Sequence, residues 1–90
     1  MSNPKTQRVL VKFDHPVQLA DKVLDEVSMR RMLVGDVIDH PLDGINDVKG
    51  EARLIAALCG VNPEDIRLLD FADYGKLQDV LLSFRGISRA

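Results

Sequence analysis

The side chains best suited to chemistry in this 90-residue chain are two histidines and one cysteine. His15 and His40 are far apart in sequence, and neither has a second histidine or cysteine three or four positions away, the spacing typical of a metal site on a helix. Cys59 has no C-x-x-C partner and lies on the apolar stripe of a predicted helix, so we interpret it as a small buried hydrophobe. A Cys–His pair formed only in the folded chain stays open, because sequence does not show spatial adjacency.

Carboxylates are numerous, but their spacing does not form a recognised site. Asp36, Asp39, Asp43 and Asp47 resemble part of a calcium loop, yet they lack its alternate-position ligands and its final glutamate. Neither G-x-G-x-x-G nor G-x-x-x-x-G-K-[ST] is present, so no phosphate-binding loop is predicted. We therefore expect no enzyme, no cofactor and no metal site.

Composition describes an ordinary globular chain: 46% of residues are apolar, 29% are charged and only 4% are aromatic. A net charge of −2 gives no electrostatic reason to expect nucleic acid or an anionic membrane as partner. One cysteine allows no disulfide within the chain, and no apolar run is long enough for a transmembrane helix or a signal peptide. We expect a single cytoplasmic domain over 1–90, flexible at 1–7 and 86–90.

The N-terminal part, residues 8–30, alternates between apolar and polar residues, which predicts two strands joined as a β-hairpin. A break is expected at His15-Pro16, since proline cannot donate to a strand ladder. Leu10 and Leu24 are expected to point away from the buried face. The residues predicted to form that buried face are Val9, Val11, Phe13, Val23, Val27 and Met29.

The remainder, residues 33–84, changes to helical periodicity and predicts three to four short helices. Gly60 suits the left-handed end of the helix 47–59, whereas Gly50 inside it is expected to weaken it by roughly 1 kcal/mol. Asn62 and Asp70 are typical caps for the two helices that follow, and Asp73 completes an acidic capping box with Asp70. The order β-β-α-α-α-α predicts an α+β fold.

Polar and apolar residues left over from these elements suggest two further features. Arg30 is expected to end its strand by pairing with an acid, either Asp36 or Asp73. The last helix has more apolar residues than one buried stripe accommodates, because Leu82 lies off that stripe. Scattered exposed leucines are normal, but a contiguous patch would bind a partner chain, and both interpretations stay open.

Four stretches, in this order, carry a resemblance to a known family. They are the hairpin pattern 9–16, the strand-to-helix junction 27–36, the Leu-Ile-Ala-x-Leu-x-Gly helix end at 54–60, and a closing helix with Ile66, Leu69, Asp73, Tyr74, Leu77 and Phe84. Together they resemble the small tail assembly chaperones of contractile-tailed phages and prophages, of the Mu-like and P2-like type. The likeness covers roughly residues 8–84. Met29 stands where the family usually has leucine, a volume-conserving exchange.

The resemblance implies a non-enzymatic protein of the bacterial host cytoplasm that binds the tape measure protein and keeps it soluble during tail assembly. Alternatives are a small structural tail component and a generic bacterial adaptor. Arg30, Asp36 and Asp73 match polar positions of the family and are interpreted as structural. Self-association through the hairpin edges is also expected. Our hypothesis places the partner-binding face at Leu10, Leu24, Leu77, Leu81, Leu82 and Phe84.

Overall fold

The chain forms an antiparallel β-hairpin followed by four helices, in a computed structural model that describes residues 8–44 and 47–86. The elements are β1 (Arg8–Gln18), β2 (Val23–Arg30), α1 (Val34–Asp39), α2 (Val48–Cys59), α3 (Pro63–Ile66) and α4 (Phe71–Phe84). This order confirms the predicted α+β class and the hairpin-then-helices arrangement. The flexible termini predicted at 1–7 and 86–90 lie, apart from Gly86, outside the described residues.

The hairpin contains a large irregularity in its register. Pairing runs from Arg8–Arg30 to Lys12–Glu26 and resumes at Val17–Leu24, so residues 13–16 of β1 lie opposite a single residue of β2. The break predicted at His15-Pro16 is therefore a bulge within one long strand. Extra residues in one strand bend it and change which side chains face inward.

This bulge corrects one predicted site residue. Leu24 was expected on the outer face of the hairpin, but it is only 6% exposed and belongs to the core, whereas Val23 is 51% exposed. The simple alternation of β2 does not continue past the irregularity, because the register shift turns the next pair of residues over. Leu24 is therefore not available as a surface contact.

One continuous apolar core joins the hairpin to the helices. α4 lies against β1, while α2 lies against β2 and α3. The buried apolar residues are Val11, Phe13, Leu24, Val27, Met29, Leu54, Ile55, Ala56, Leu58, Ile66, Tyr74, Leu77 and Leu81. Burying such side chains contributes about 25 cal/mol for each Å² of apolar surface removed from water.

Two more predicted surface residues belong to this core. Leu77 is fully buried and Leu81 is 4% exposed, because both lie on the stripe of α4 that packs inward. Their placement in the partner-binding face was wrong, since the same stripe cannot fill the core and remain open to a partner. Their contribution is to hold α4 on the rest of the fold.

α1 differs from the other helices because none of its residues is buried. Its apolar residues are open to solvent: Val34 is 78% exposed and Ile38 is 71% exposed. The helix begins at Val34, directly after Leu33, whose backbone N–H donates to the Asp36 carboxylate at 2.8 Å. Polar contacts therefore hold α1 in place more than burial does.

α2 begins at a tightly built cap. The Asp47 carboxylate accepts from the backbone N–H of Gly50 at 2.9 Å and from that of Asp43 at 2.8 Å. A Cβ atom at position 50 would collide with Asp47 Oδ2 and lie 3.2 Å from the Pro41 carbonyl oxygen. Gly50 thus lets the preceding loop approach the first turn of the helix closely.

Candidate functional site

Asp73, in the first turn of α4, is the one charged side chain that is fully buried among the described residues. Its two carboxylate oxygens accept from the backbone N–H groups of Asp14 and His15, each at 2.9 Å. These donors lie in the bulge of β1, where pairing with β2 is interrupted. Asp73 therefore supplies acceptors that the missing ladder does not provide.

Lys76 completes this polar cluster from the next turn of α4. Its Nζ lies 3.4 Å from Asp73 Oδ1 and 3.0 Å from Asp14 Oδ2, and it donates to the Lys12 carbonyl at 3.0 Å. Burial by itself raises the pKa of Asp73, but the bonds from the backbone N–H groups of Asp14 and His15 and from Lys76 outweigh it and lower the pKa. Asp73 is thus ionised at neutral pH and joins α4 to β1.

Arg30 forms a two-pronged salt bridge with Asp36, one of the two acids considered for it. The guanidinium nitrogens donate to the two carboxylate oxygens at 2.8 and 2.7 Å. This pairing lowers the pKa of Asp36 to about 2, with the hydrogen bond from Arg30 as the largest cause. The bridge connects the end of β2 to α1, the helix that lacks buried residues.

A third polar contact links α2 to α4. The Tyr74 hydroxyl donates to Glu51 Oε1 at 2.6 Å, and Gln78 Nε2 donates to the same oxygen at 2.8 Å. Burial, with Glu51 adding to it, raises the pKa of Tyr74 far above its ordinary value. The Tyr74 hydroxyl is therefore protonated and already engaged.

Next to Tyr74 lies an open groove of about 390 Å³ between α2, α3 and α4, which we call the α2–α3–α4 groove. Phe71 stands at this groove with 76% of its surface exposed, and its ring stacks on Tyr74 with centroids 6.3 Å apart. A single exposed apolar residue is ordinary, but Phe71 continues the apolar lining of this groove. The apolar residues that line the groove are Val48, Ala52, Pro63, Ile66, Leu69, Phe71 and Tyr74.

The net charge of the groove is positive, whereas the net charge of the whole chain is negative. Lys49, Arg53 and Arg67 line it together with one acid, Glu64, giving a local excess of two positive charges in a chain of net charge −2. All four side chains are exposed. The groove is therefore apolar along its walls and basic at its rim.

The remaining predicted partner-binding residues lie on two elements, β1 and α4, and differ in exposure. Leu10 is 53% exposed on the hairpin, while Leu82 and Phe84 are half-buried near the end of α4. The Phe84 ring also lies beneath the Arg31 guanidinium, 5.4 Å from its centroid. Partner contacts at Leu10, Leu82 and Phe84 stay a prediction.

Sequence reasoning missed the groove because most of its lining residues lie on helices whose other residues fill the core, and Leu69 lies between α3 and α4. Phe71 follows the Asp70 cap, whose carboxylate accepts from the Ala72 backbone N–H at 2.9 Å, so it occupies the first position of α4. An aromatic residue directly after a capping aspartate, ahead of the inward stripe, was the available signal. Outside the groove, the exposure of Val34 and Ile38 in α1 could have been predicted from sequence, because a six-residue helix has little room to bury them.

Neither a metal-binding cluster nor a reactive thiol is found among the described residues. Among residues 8–44 and 47–86, no cluster of three or more His, Cys, Asp or Glu side chains is placed to hold a metal ion. Burial raises the pKa of Cys59 to about 11, so this half-buried thiol is protonated at neutral pH and a poor nucleophile. No helix in the described part of the chain is long and apolar enough to cross a membrane.

The described residues form a small α+β protein with an apolar groove that has a basic rim. Comparison with known families identifies it further. Residues 10–86 match the model of the phage tail assembly chaperone proteins, described as E, or 41 or 14, and the chain belongs to this family. The resemblance noted from its motifs is thereby confirmed. Neither a curated protein nor a solved structure gives a significant match.

Proposed function

We propose that this protein binds the tape measure protein of its phage or prophage, in the bacterial host cytoplasm, and keeps it soluble while the tail tube assembles. The role is non-catalytic. The observation that carries the proposal is the family match over residues 10–86, almost the whole chain. A chaperone of tail assembly acts on another tail protein. The tape measure protein suits this role, because it is a long chain that must stay soluble until the tail tube assembles.

The surface of the molecule supports a binding role of this kind. A client that is insoluble alone exposes apolar stripes, and a chaperone needs apolar surface of its own that is not consumed by its core. The α2–α3–α4 groove and the exposed ring of Phe71 supply such surface. The net charge of −2 helps to keep the complex dispersed.

Co-expression with the tape measure protein from the same genome tests the proposal. We expect the tape measure protein to aggregate alone, and to elute with this chain as a soluble complex in size-exclusion chromatography. An unrelated acidic protein of similar size, expressed at the same level, is the control. Failure to form a complex or to improve solubility would overturn the proposal. Retention of the chain in purified tails would instead favour a structural tail component.

A further inference from the structure

We infer that the α2–α3–α4 groove binds an amphipathic helix of the client whose apolar stripe is flanked by acidic side chains. This rests on the proposed function, and adds to it where the client is held and what chemistry the bound segment has. Three features of the described residues carry the inference. They are the polar groups of the groove, the helices that wall it, and the charge at its rim.

The polar inventory favours a protein segment over a small molecule. Small-molecule sites combine apolar walls with a few polar groups that are free to orient the ligand. Here the Tyr74 hydroxyl is already bonded to Glu51, and no buried side-chain nitrogen or oxygen among the described residues lacks a hydrogen-bond partner. What the groove offers is apolar contact, with Phe71 projecting as an aromatic anchor.

The walls favour a helix over an extended strand. A strand binds by adding to an exposed sheet edge, where backbone N–H and C=O groups are unpaired. The groove is instead walled by α2, α3 and α4, and no residue of β1 or β2 lines it. An amphipathic helix laid into such a groove buries side chains at intervals of three, four and seven residues and requires no free backbone groups.

The charges at the rim of the groove predict the charge of the bound helix. Lys49, Arg53 and Arg67 outnumber Glu64. None of the three cations forms a salt bridge with a described residue, although Lys49 and Arg53 lie near enough to Asp47 to help lower its pKa. A partner with acidic residues beside its apolar stripe would pair with them, whereas a basic partner would be repelled. Arginine suits this role because its planar group binds a carboxylate through two hydrogen bonds.

Two groove variants, each with a matched control, test the assignment against the tape measure protein of the same genome. Phe71→Ser removes the anchor, and Val34→Ser removes an equally exposed apolar residue outside the groove. Arg53→Glu reverses a rim charge, and Lys22→Glu makes the same change in the hairpin turn. We expect the groove variants to weaken binding by about tenfold or more, and the controls to change it less than about twofold. Urea unfolding of all four checks that they fold.

Two synthetic helical peptides keep the inference testable apart from the proposed function. They share one apolar stripe, flanked by glutamates in one peptide and by lysines in the other. We expect wild-type protein to prefer the glutamate peptide, and Arg53→Glu to shift the preference towards the lysine peptide. Equal affinity for both peptides, or groove variants that bind the tape measure protein like wild type, would overturn the inference. A wild-type chain that prefers the glutamate peptide but fails to solubilise the tape measure protein would overturn the proposed function alone.

Discussion

Asp73 is fully buried and charged, and its surroundings explain how this is sustained. Two backbone N–H groups and Lys76 provide the hydrogen bonds and the countercharge that water would otherwise supply. Buried charges are tolerated only with such partners, and removing one partner is costly. At the residue scale, Asp73 therefore joins α4 to the bulge of β1.

Replacing Asp73 with alanine is expected to lower the free energy of unfolding by about 2–4 kcal/mol, because two bulge N–H groups lose their acceptors. Asp73→Asn should cost less, since the amide oxygen still accepts one of the two bonds. Urea unfolding measures both changes. Asp21→Asn, which removes an exposed carboxylate from the hairpin turn, is the control and should stay within about 0.5 kcal/mol of wild type. A small effect of Asp73→Ala would show that water replaces the carboxylate easily.

Acid should destabilise the fold through its hydrogen-bonded aspartates, and Asp36 and Asp73 are two of them. The pKa of an aspartate in an unfolded chain is about 3.9. In the folded chain Arg30 lowers the pKa of Asp36 to about 2, and the pKa of Asp73 is also lowered. Below the unfolded value, the unfolded chain binds more protons than the folded one, so the free energy of unfolding falls as pH falls. The stabilisation is complete above about pH 5 and is lost between about pH 4 and 2 for Asp36.

Urea unfolding at a series of pH values checks this titration. The Asp36→Asn variant lacks one of the two groups, so its free energy of unfolding should fall less steeply between about pH 4 and 2 than that of wild type. The variant is less stable overall, but the comparison concerns slopes and not absolute values. Equal slopes in the two proteins would contradict an ion pair that shifts the pKa of Asp36.

Sequence alone identified Asp73 as a polar residue of structural importance but gave it a different role. Its spacing from Asp70 predicted a capping box within one helix. In the structure Asp70 alone caps the helix. Asp73 instead accepts hydrogen bonds from the backbone N–H groups of His15 and Asp14, which lie 58 and 59 residues earlier in the chain. A contact of that range is invisible to local spacing, because it depends on where the bulge of β1 lies in the folded molecule.

At the scale of the elements, α2 gives a sharp test because its glycine has a close neighbour. Gly50→Ala would ordinarily stabilise a helix by about 1 kcal/mol. Here the added methyl collides with the Asp47 cap, so we expect the free energy of unfolding to fall by about 1–3 kcal/mol. Gly75→Ala in α4, where a Cβ meets nothing within 4 Å, should raise it by about 0.5–1 kcal/mol. Stabilisation by both substitutions, measured by urea unfolding, would refute the cap geometry.

The elements themselves were largely predictable, since their signals are local. Alternation predicted both strands, and caps at Asn62 and Asp70 marked helices that begin one residue later. The helix predicted from Asp47 begins at Val48. The inward face of the hairpin near its turn was not predictable. Alternation assumes an uninterrupted ladder, and the bulge between Lys12 and Val17 reverses it for Leu24.

At the scale of the whole molecule, the basic rim on an acidic protein predicts how salt affects binding. Screening lengths shrink from about 10 Å at 0.1 M salt to about 3 Å at 1 M. The association rate with the glutamate-flanked peptide should therefore fall as salt is raised, and Arg53→Glu should flatten that dependence. Stopped-flow mixing measures the rates. A salt-independent rate for wild type would contradict electrostatic attraction at the groove.

The groove itself lay beyond sequence reasoning for a reason of geometry. Its walls come from three helices whose mutual placement depends on the core. Its anchor Phe71 has the helical spacing from Tyr74 that predicts an inward residue, yet it is exposed. The predicted partner-binding face was wrong for Leu77 and Leu81, because these leucines fill the core and are not on the surface. Both outer edges of the two-stranded sheet lack a strand partner within the described residues, and self-association through them stays a prediction.

The bond from α4 to the bulge also sets an order of events during synthesis. The hairpin leaves the ribosome first, but the amides of Asp14 and His15 must wait for a carboxylate 59 and 58 residues further on. Contacts of such long range form late, because the intervening chain must first be closed into a loop. A nascent chain paused before residue 73 therefore carries a hairpin whose bulge is bonded only to water. The hairpin is therefore translated before the four helices but completed only after α4 has been made.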